Sequence, residues 1–572
     1  MQNDKHSKHF NSTHKYRRQR MRNWLLYTVL LGVGSVASVF ALNPAAVTTP
    51  LSNAAQTHYL DQGWDHQTRQ QLSFTSFGSR LIPYNWFIAL EQAQTTQLFR
   101  DPAHMSALGF IITEPDEYNP DGLPVGVVRD KDKKHGDYVG LTCAACHTGQ
   151  VSINGQRIRI DGGQALIDFT GFEIALVAAL EATLADAEKF SRFYVRLSQL
   201  QSNNFSSVSL ATQSLQVLMQ ARLQQLQQRL HNNKTDVPYG HGRLDAFGQI
   251  FNAIAVEALN MPANIHSPNA PTSYPVMWDA SHLDLVQWNG SAPNKEPGPL
   301  FQNAITALAV YGTIDIKKED LSYRSSIRIN HLADLQNAFY QLTAPQWPQQ
   351  FAGALDEKKV ATGKTLYQQH CADCHTYVNP ADKKRKLRVV LTPVAEVGTD
   401  PLMAHNFSQR KVQTGILEGE RSLLLVGKKF TAEASSLDLV THAALGALLN
   451  QPWQSFKAIV REYKTNFPAT PSTIDSYKAR PINGIWASAP YLHNGSVPSI
   501  YDLLLPAKQR PQTFYVGNIE LDLQKVGHLT SAAPNTSLFD TRLPGNSNSG
   551  HEYGTELNDE QRWALVEYIK SL

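Results

Sequence analysis

A chain of 572 residues can hold two to four domains around a large core. Its 42% hydrophobic and 18% charged residues describe an ordinary folded protein and exclude disordered and fibrous classes. The net charge of +3 comes from the N-terminus, where Lys5, Lys8, Lys15, Arg17, Arg18, Arg20 and Arg22 face only Asp4; nothing in the remainder argues for nucleic-acid binding.

Residues 1–23 read as a basic cytoplasmic segment. Trp24 to Leu42 carries no charge and spans about 28 Å as a helix, close to a bilayer core. Val39-Phe40-Ala41 offers a cleavage site for a signal peptide, whereas the long basic flank and long apolar run favour a retained signal anchor. Either way the rest of the chain is expected to be exported, periplasmic or tethered to the inner membrane. Residues 43–70, rich in Ala, Thr, Pro, Ser and Asn, read as a linker.

From Phe74 to Arg129 aromatic residues mix with Pro and Gly, as in Ile82-Pro83-Tyr84-Asn85-Trp86-Phe87, which suggests irregular structure around something apolar. A charged loop, Arg129 to Lys134, leads into Cys143-Ala144-Ala145-Cys146-His147. Gln150 to Ile160 alternates like a hairpin with Asn154-Gly155 as its turn. A helical pattern then runs from Phe169 through Leu180, and a second from Leu210 to Leu230 places Leu215, Met219, Leu223, Leu226 and Leu230 on one face. Asp356 to Tyr367 is helical and runs straight into His370-Cys371-Ala372-Asp373-Cys374-His375. At the other end Asn558 caps a helix to Leu572, with Gln561 at the capping-box position.

The two Cys-x-x-Cys-His boxes contain all four cysteines of the chain. In each, two thiols can add to the vinyl groups of a haem while the histidine reaches the iron from the same face. Zinc clips and local disulfides are the competing readings, but zinc would not need the adjacent histidine twice. Two covalently bound haem c groups are therefore expected, with Cys143, Cys146, Cys371 and Cys374 as attachment points and His147 and His375 as proximal iron ligands. A helix before the second box and a helix at the chain end, crossing at Gly363, is the framework of a small cytochrome c. The expected fold is mainly α, with two cytochrome c-like haem domains, long loops, insertions and few short strands. The first haem domain, 71–345, carries the helical insertion; the second is 346–572.

The stretch from Arg480 to Pro498, with Ala489-Pro490-Tyr491-Leu492-His493-Asn494-Gly495, resembles the signature of the di-haem cytochrome c peroxidase superfamily. Supporting stretches are Asp161-Gly162-Gly163, Gly242 to Phe247, Trp278-Asp279, Gln287 to Ser291, Val397 to Pro401 and Gly550 to Gly554. Within the superfamily the chain most resembles the larger branch that includes the bacterial rubber oxygenases. Relatives often place a second histidine soon after the first box, yet no His or Met lies between Thr148 and Leu218 here. The first haem is thus expected to be open and reactive, with His147 and Trp278 as its catalytic candidates. His104, His135, His241, His282, Met105 and Met277 are the residues available to close it instead.

For the second haem the resemblance implies a late histidine as sixth ligand, which falls on His551, with His493 as rival and Met403, His405, His442 and His528 as further candidates. Iron ligands are then His147, His375 and His551. Trp278 and Trp288 can lie near or between the haems or be plain core aromatics. Arg243 and Arg480 are candidate partners of haem propionates, or structural ion pairs. The resemblance also admits a calcium ion, although no EF-hand-like motif is present. The leading expectation is a peroxidase-like enzyme that reduces hydrogen peroxide at haem 1 with electrons relayed through haem 2 from a small donor protein. The alternatives are an oxygenase using dioxygen on an apolar substrate of the rubber type, and a non-enzymatic electron carrier.

Overall fold

The computed structural model describes residues 56–202, 212–295, 297–379, 381–461 and 475–572. The basic segment and the Trp24–Leu42 run lie outside them. Among the described residues no helix is long and apolar enough to cross a membrane.

The chain enters through β1 (Thr57–Tyr59) and α1 (His66–Phe74), the latter capped by the Asp65 carboxylate on the Thr68 N–H. Part of the stretch expected as a linker is therefore built into the protein: Gln62 and Trp64 are buried, and the Gln62 amide donates to the carbonyls of Asp161 and Thr343. Composition misled here because one buried Gln and one Trp anchor a segment that is otherwise polar. The aromatic segment expected to be irregular forms a short helix over Tyr84–Ala89, whose Phe87 is fully buried.

The first box forms the short helix α2 (Cys143–Cys146). It feeds β2 (Thr148–Ile153) and β3 (Gln156–Asp161), a hairpin in which Ile153 pairs with Gln156 across the expected Asn154-Gly155 turn. β1 adds in parallel to β3, giving the order β1-β3-β2. Beyond it, α3 (Phe169–Ala185), α4 (Ala187–Ser202) and α5 (Thr212–Asn232) form the helical insertion. The helical spacing read in α5 is reproduced in its buried face of Leu215, Met219, Leu223 and Leu226.

The second box follows α6 (Glu357–His370), and α7 (Asp559–Ser571) closes the chain with the expected capping box of Asn558 and Gln561. These helices cross at Gly363. A Cβ there would lie 2.1 Å from the Ala564 carbonyl oxygen and 2.7 Å from Tyr568 Cβ. Gly363→Ala should therefore destabilise the protein, measured as a lower denaturation midpoint, although helix propensity alone would favour alanine by about 1 kcal/mol.

Two expectations are corrected. Strands are numerous among the described residues, and none exceeds six residues, so the fold is helix-dominated with many short pairings. Alternation over two or three residues leaves no periodicity to detect. Nor is there a packing break near residue 345. Residues Ala55–Leu572 form one compact unit, and a single apolar cluster runs from Trp64 through Trp278, Leu342 and Tyr367 to Leu572. A second cluster joins the Tyr84–Ala89 helix to the insertion.

Candidate functional site

Box one is held from both ends. The Thr142 hydroxyl caps the Ala144 N–H, and the His147 N–H donates to the Cys143 carbonyl at 2.9 Å. Gly126, at φ +80°, lets its chain press on the box, since a Cβ would meet the Ala145 nitrogen at 2.1 Å. Cys143 packs on the first apolar cluster and Cys146 on the second.

The His147 Nδ1–H donates to the Pro275 carbonyl at 2.8 Å. A carbonyl accepts only, so this bond fixes the tautomer and leaves the Nε2 lone pair as the one able to bind a metal. Burial pulls the His147 pKa down to about 4, which keeps the ring neutral, as a ligand must be.

Box two repeats this logic on a different support. The N–H groups of Cys371 and Ala372 both donate to the Tyr367 carbonyl, and the Tyr367 hydroxyl donates to the His375 carbonyl at 2.6 Å. The His375 Nδ1–H donates to the Arg480 carbonyl at 2.7 Å, again leaving Nε2 free.

His551 faces His375. Their ring centres lie 6.1 Å apart. Two imidazoles sharing one iron at about 2 Å per nitrogen would place ring centres about 6 Å apart, so the gap fits a metal between them. The His551 Nδ1 is buried without a hydrogen-bond partner, and burial together with the neighbouring His375 pulls its pKa down to about 3.

The loop that carries His551 is fixed by its backbone. The His551 N–H donates to the Val397 carbonyl at 2.8 Å. The Arg510 guanidinium donates to the carbonyls of Asn548 (2.6 Å), Gly550 (2.8 Å) and His551 (3.2 Å). Neither Arg510 nor the Pro275 carbonyl was legible in sequence. Arg510 belongs to no motif, and a backbone acceptor carries no residue-type signal.

The other candidates separate by their partners. Arg243 donates all five N–H groups to protein acceptors: the carbonyls of Tyr239, Pro238 and Asn494, and the Asn546 Oδ1. Its expected propionate role is replaced by that of a structural anchor. Arg480 donates three, to Pro481, Val276 and Trp278, and keeps two for an anionic group. Trp278 is 1% exposed and donates its indole N–H to the Asn483 carbonyl, while the Trp288 indole donates to Ser273.

His282 engages the carbonyls of Arg385 and Tyr340 with its two nitrogens, and His442 engages Tyr323 and Arg421. His104 holds the Phe99 carbonyl, His135 pairs with Asp132, and the His241 Nδ1 meets the Ser537 hydroxyl. Met105 and Met403 are core residues.

His493, the rival to His551, stacks on Tyr477 with ring centres 4.0 Å apart. Burial pulls its pKa down to about 3, from an ordinary 6.5. The unfolded chain therefore takes up a proton below pH 6.5 that the folded chain refuses, so this contribution to stability is present above pH 6.5 and is lost as pH falls towards 3. The melting temperature should drop from pH 7 to pH 4.5, and less steeply in His493→Phe, which keeps the stack.

No disulfide joins any of the four cysteines, and before haem attachment burial raises the thiol pKa of Cys143 to about 11 and of Cys146 to about 12. Among the described residues no group of three or more His, Cys, Asp or Glu is placed to hold a metal ion. Disulfide and zinc-clip readings thus gain no support, and the calcium ion admitted by the resemblance finds no carboxylate cluster there. Thiols paired with a histidine whose Nε2 is free, on a helix crossing closed by a glycine, define a c-type cytochrome site.

Comparison with known proteins agrees with that class. Residues 476–515 match the family described as RoxA-like, cytochrome c-like, so the chain carries a RoxA-like cytochrome c-like domain, which implies covalently bound haem c. The chain belongs to the family of the uncharacterized protein y4iJ of Sinorhizobium fredii, to which it is 30% identical over 97% of its own length and 100% of that relative. The uncharacterized protein y4iM of the same organism is 25% identical over 53% of the chain and 62% of its own length.

Proposed function

We propose that the protein is an exported di-haem c-type oxidoreductase of the rubber-oxygenase type, with box one as the reaction site and box two as an electron relay. The carrying observation is the asymmetry between the boxes. His375 has a second histidine, His551, facing it at ligand distance, whereas no matching histidine pair is found at His147 among the described residues. A haem held at each box would supply redox-active iron, with His147 to hold the first and His375 and His551 to hold the second.

The chain's own residues do the rest. Pro275 and Arg480 set the tautomers of His147 and His375, Arg480 offers two N–H groups to a propionate, and the apolar clusters beside Cys143 and Cys146 exclude water. The substrate is an apolar small molecule or polymer segment, with dioxygen as the oxidant. Localisation in the periplasm, with or without the 24–42 anchor, belongs to the same reading.

Peroxide reduction with a small electron-donor protein is the second reading. The match to a RoxA-like domain favours dioxygen over that reading.

Haem counting by pyridine haemochromogen tests the frame. Two haems per chain are expected, with one lost in a Cys143→Ser/Cys146→Ser double variant and the other in Cys371→Ser/Cys374→Ser. Turnover is then compared between oxygen with polyisoprene and peroxide with a reduced cytochrome. Activity only with peroxide would sink the oxygenase reading; two low-spin haems that refuse carbon monoxide would sink both.

A further inference from the structure

The two proximal histidines share one buried residue. Arg480 gives its carbonyl to the His375 Nδ1–H at 2.7 Å. With the same residue's side chain it reaches the segment that holds the other histidine: Nη1 donates to the Val276 carbonyl at 3.1 Å and Nη2 to the Trp278 carbonyl at 3.2 Å. Val276 directly follows Pro275, whose carbonyl accepts the His147 Nδ1–H at 2.8 Å.

A second connection runs alongside. The Trp278 indole N–H donates to the Asn483 carbonyl, and the Asn483 side chain exchanges bonds with the backbone of Val378, three residues past His375. The segment 275–278 is thus tied to both boxes.

We propose that Arg480 is a positioning residue that joins the two proximal ligands: its carbonyl orients His375, its guanidinium ties that backbone to the segment whose carbonyl orients His147, and its charge acts on both. This rests on the two-haem reading above.

Charge gives the coupling its sign. Arg480 is buried, and its nearest compensating acid, Asp279, already pairs with the buried Arg385 at 2.6 Å. The pair of guanidiniums therefore shares one carboxylate, so the protein's own contribution to the charge between the boxes is net positive, and a propionate on Arg480 would be the same in every variant. Buried positive charge favours the more electron-rich state of any redox centre nearby, and local net charge is one of the protein's levers on haem potential. Donor bonds to Val276 and Trp278 also hold the Pro275 carbonyl in place, which fixes the His147 ring plane.

The test uses the full haem-loaded protein and three variants. Arg480→Gln removes the charge and keeps an amide donor; Arg480→Lys keeps the charge and loses the fork; His551→Ala identifies which spectral signal belongs to the second haem. Midpoint potentials come from an optical redox titration, and ligand geometry from the spin-resonance g-values of each haem.

The expected result is that Arg480→Gln lowers the midpoint potential of both haems and shifts the g-values of both. Arg480→Lys should restore both potentials towards wild type while the g-values stay shifted. A change confined to one haem, or to neither, overturns the coupling while a count of two haems leaves the two-haem reading standing. A wild-type count below two overturns both. If the glutamine variant does not fold, the lysine variant decides alone: g-values altered at both haems support the proposal, and at one or none overturn it.

Discussion

His551→Ala is expected to turn the second haem from six-coordinate and low-spin to high-spin, able to bind carbon monoxide, while the signal of the first haem stays unchanged. The expectation follows from the 6.1 Å between the ring centres of His375 and His551, which leaves room for one iron and little else. It also follows from chemistry. A buried imidazole with an unpartnered Nδ1 costs free energy, on the order of 1–3 kcal/mol for such a polar group, unless something in the site engages the ring. A coordinated metal is the partner that would offset it.

Alanine removes that ligand and opens a cavity of imidazole size, so added imidazole should restore the low-spin spectrum. His493→Ala is the matched control. Its ring is buried too but stacks on Tyr477, so its spectrum should stay low-spin. A low-spin His551→Ala protein, or a high-spin His493→Ala protein, would move the assignment.

How much of this was legible in the sequence depends on the length scale of the signal. The boxes, the hairpin at Asn154-Gly155, the helix α5, the capping box of α7 and the crossing at Gly363 each rest on residue types within one turn or one motif, and the structure contains them. The late histidine was pointed to by the resemblance and its neighbouring glycines, and the structure sets its ring opposite His375.

What escaped the sequence is carried by the backbone or by distance. The anchors of His147 and His375 are carbonyls, of Pro275 and Arg480, supplied 128 and 105 residues away. Any residue has a carbonyl, so nothing in composition marks these. Arg243 and Arg480 looked equivalent as buried-arginine candidates, and only their acceptors separate them. Five hydrogen bonds to four protein acceptors occupy the first, while the second makes three. The expected boundary at 345 failed for a related reason. Trp278, Leu342 and Tyr367 meet in one cluster, and contacts at that separation leave no local pattern.

Gly550→Ala should be the most damaging single-methyl substitution at the second box, and it should reproduce part of the His551→Ala spectrum without touching the histidine. Gly550 sits at φ +70°, where an alanine costs about 1–2 kcal/mol in backbone strain. Strain is the smaller part. The added Cβ would fall 2.2 Å from the Gly398 carbonyl carbon, 2.3 Å from the Thr399 nitrogen and 2.4 Å from the Val397 oxygen. These are backbone atoms, so no rotamer change can clear them, and the two loops must separate.

That separation breaks the contacts that aim His551: its N–H bond to Val397, the Ser549 hydroxyl on the Gly398 carbonyl, and the Arg510 bond to Gly550. The expected loss is therefore about 3 kcal/mol or more in denaturant unfolding, with a mixed-spin second haem in the folded fraction. Gly155→Ala calibrates the strain alone. Gly155, in the Asn154-Gly155 turn, has φ +76° and nothing within 4 Å of its would-be Cβ, so its alanine variant should lose about 1 kcal/mol and leave both haem spectra intact. Equal losses in the two variants would mean that the 397–399 loop yields freely. In that case the fixed backbone would not be what holds His551 against the iron.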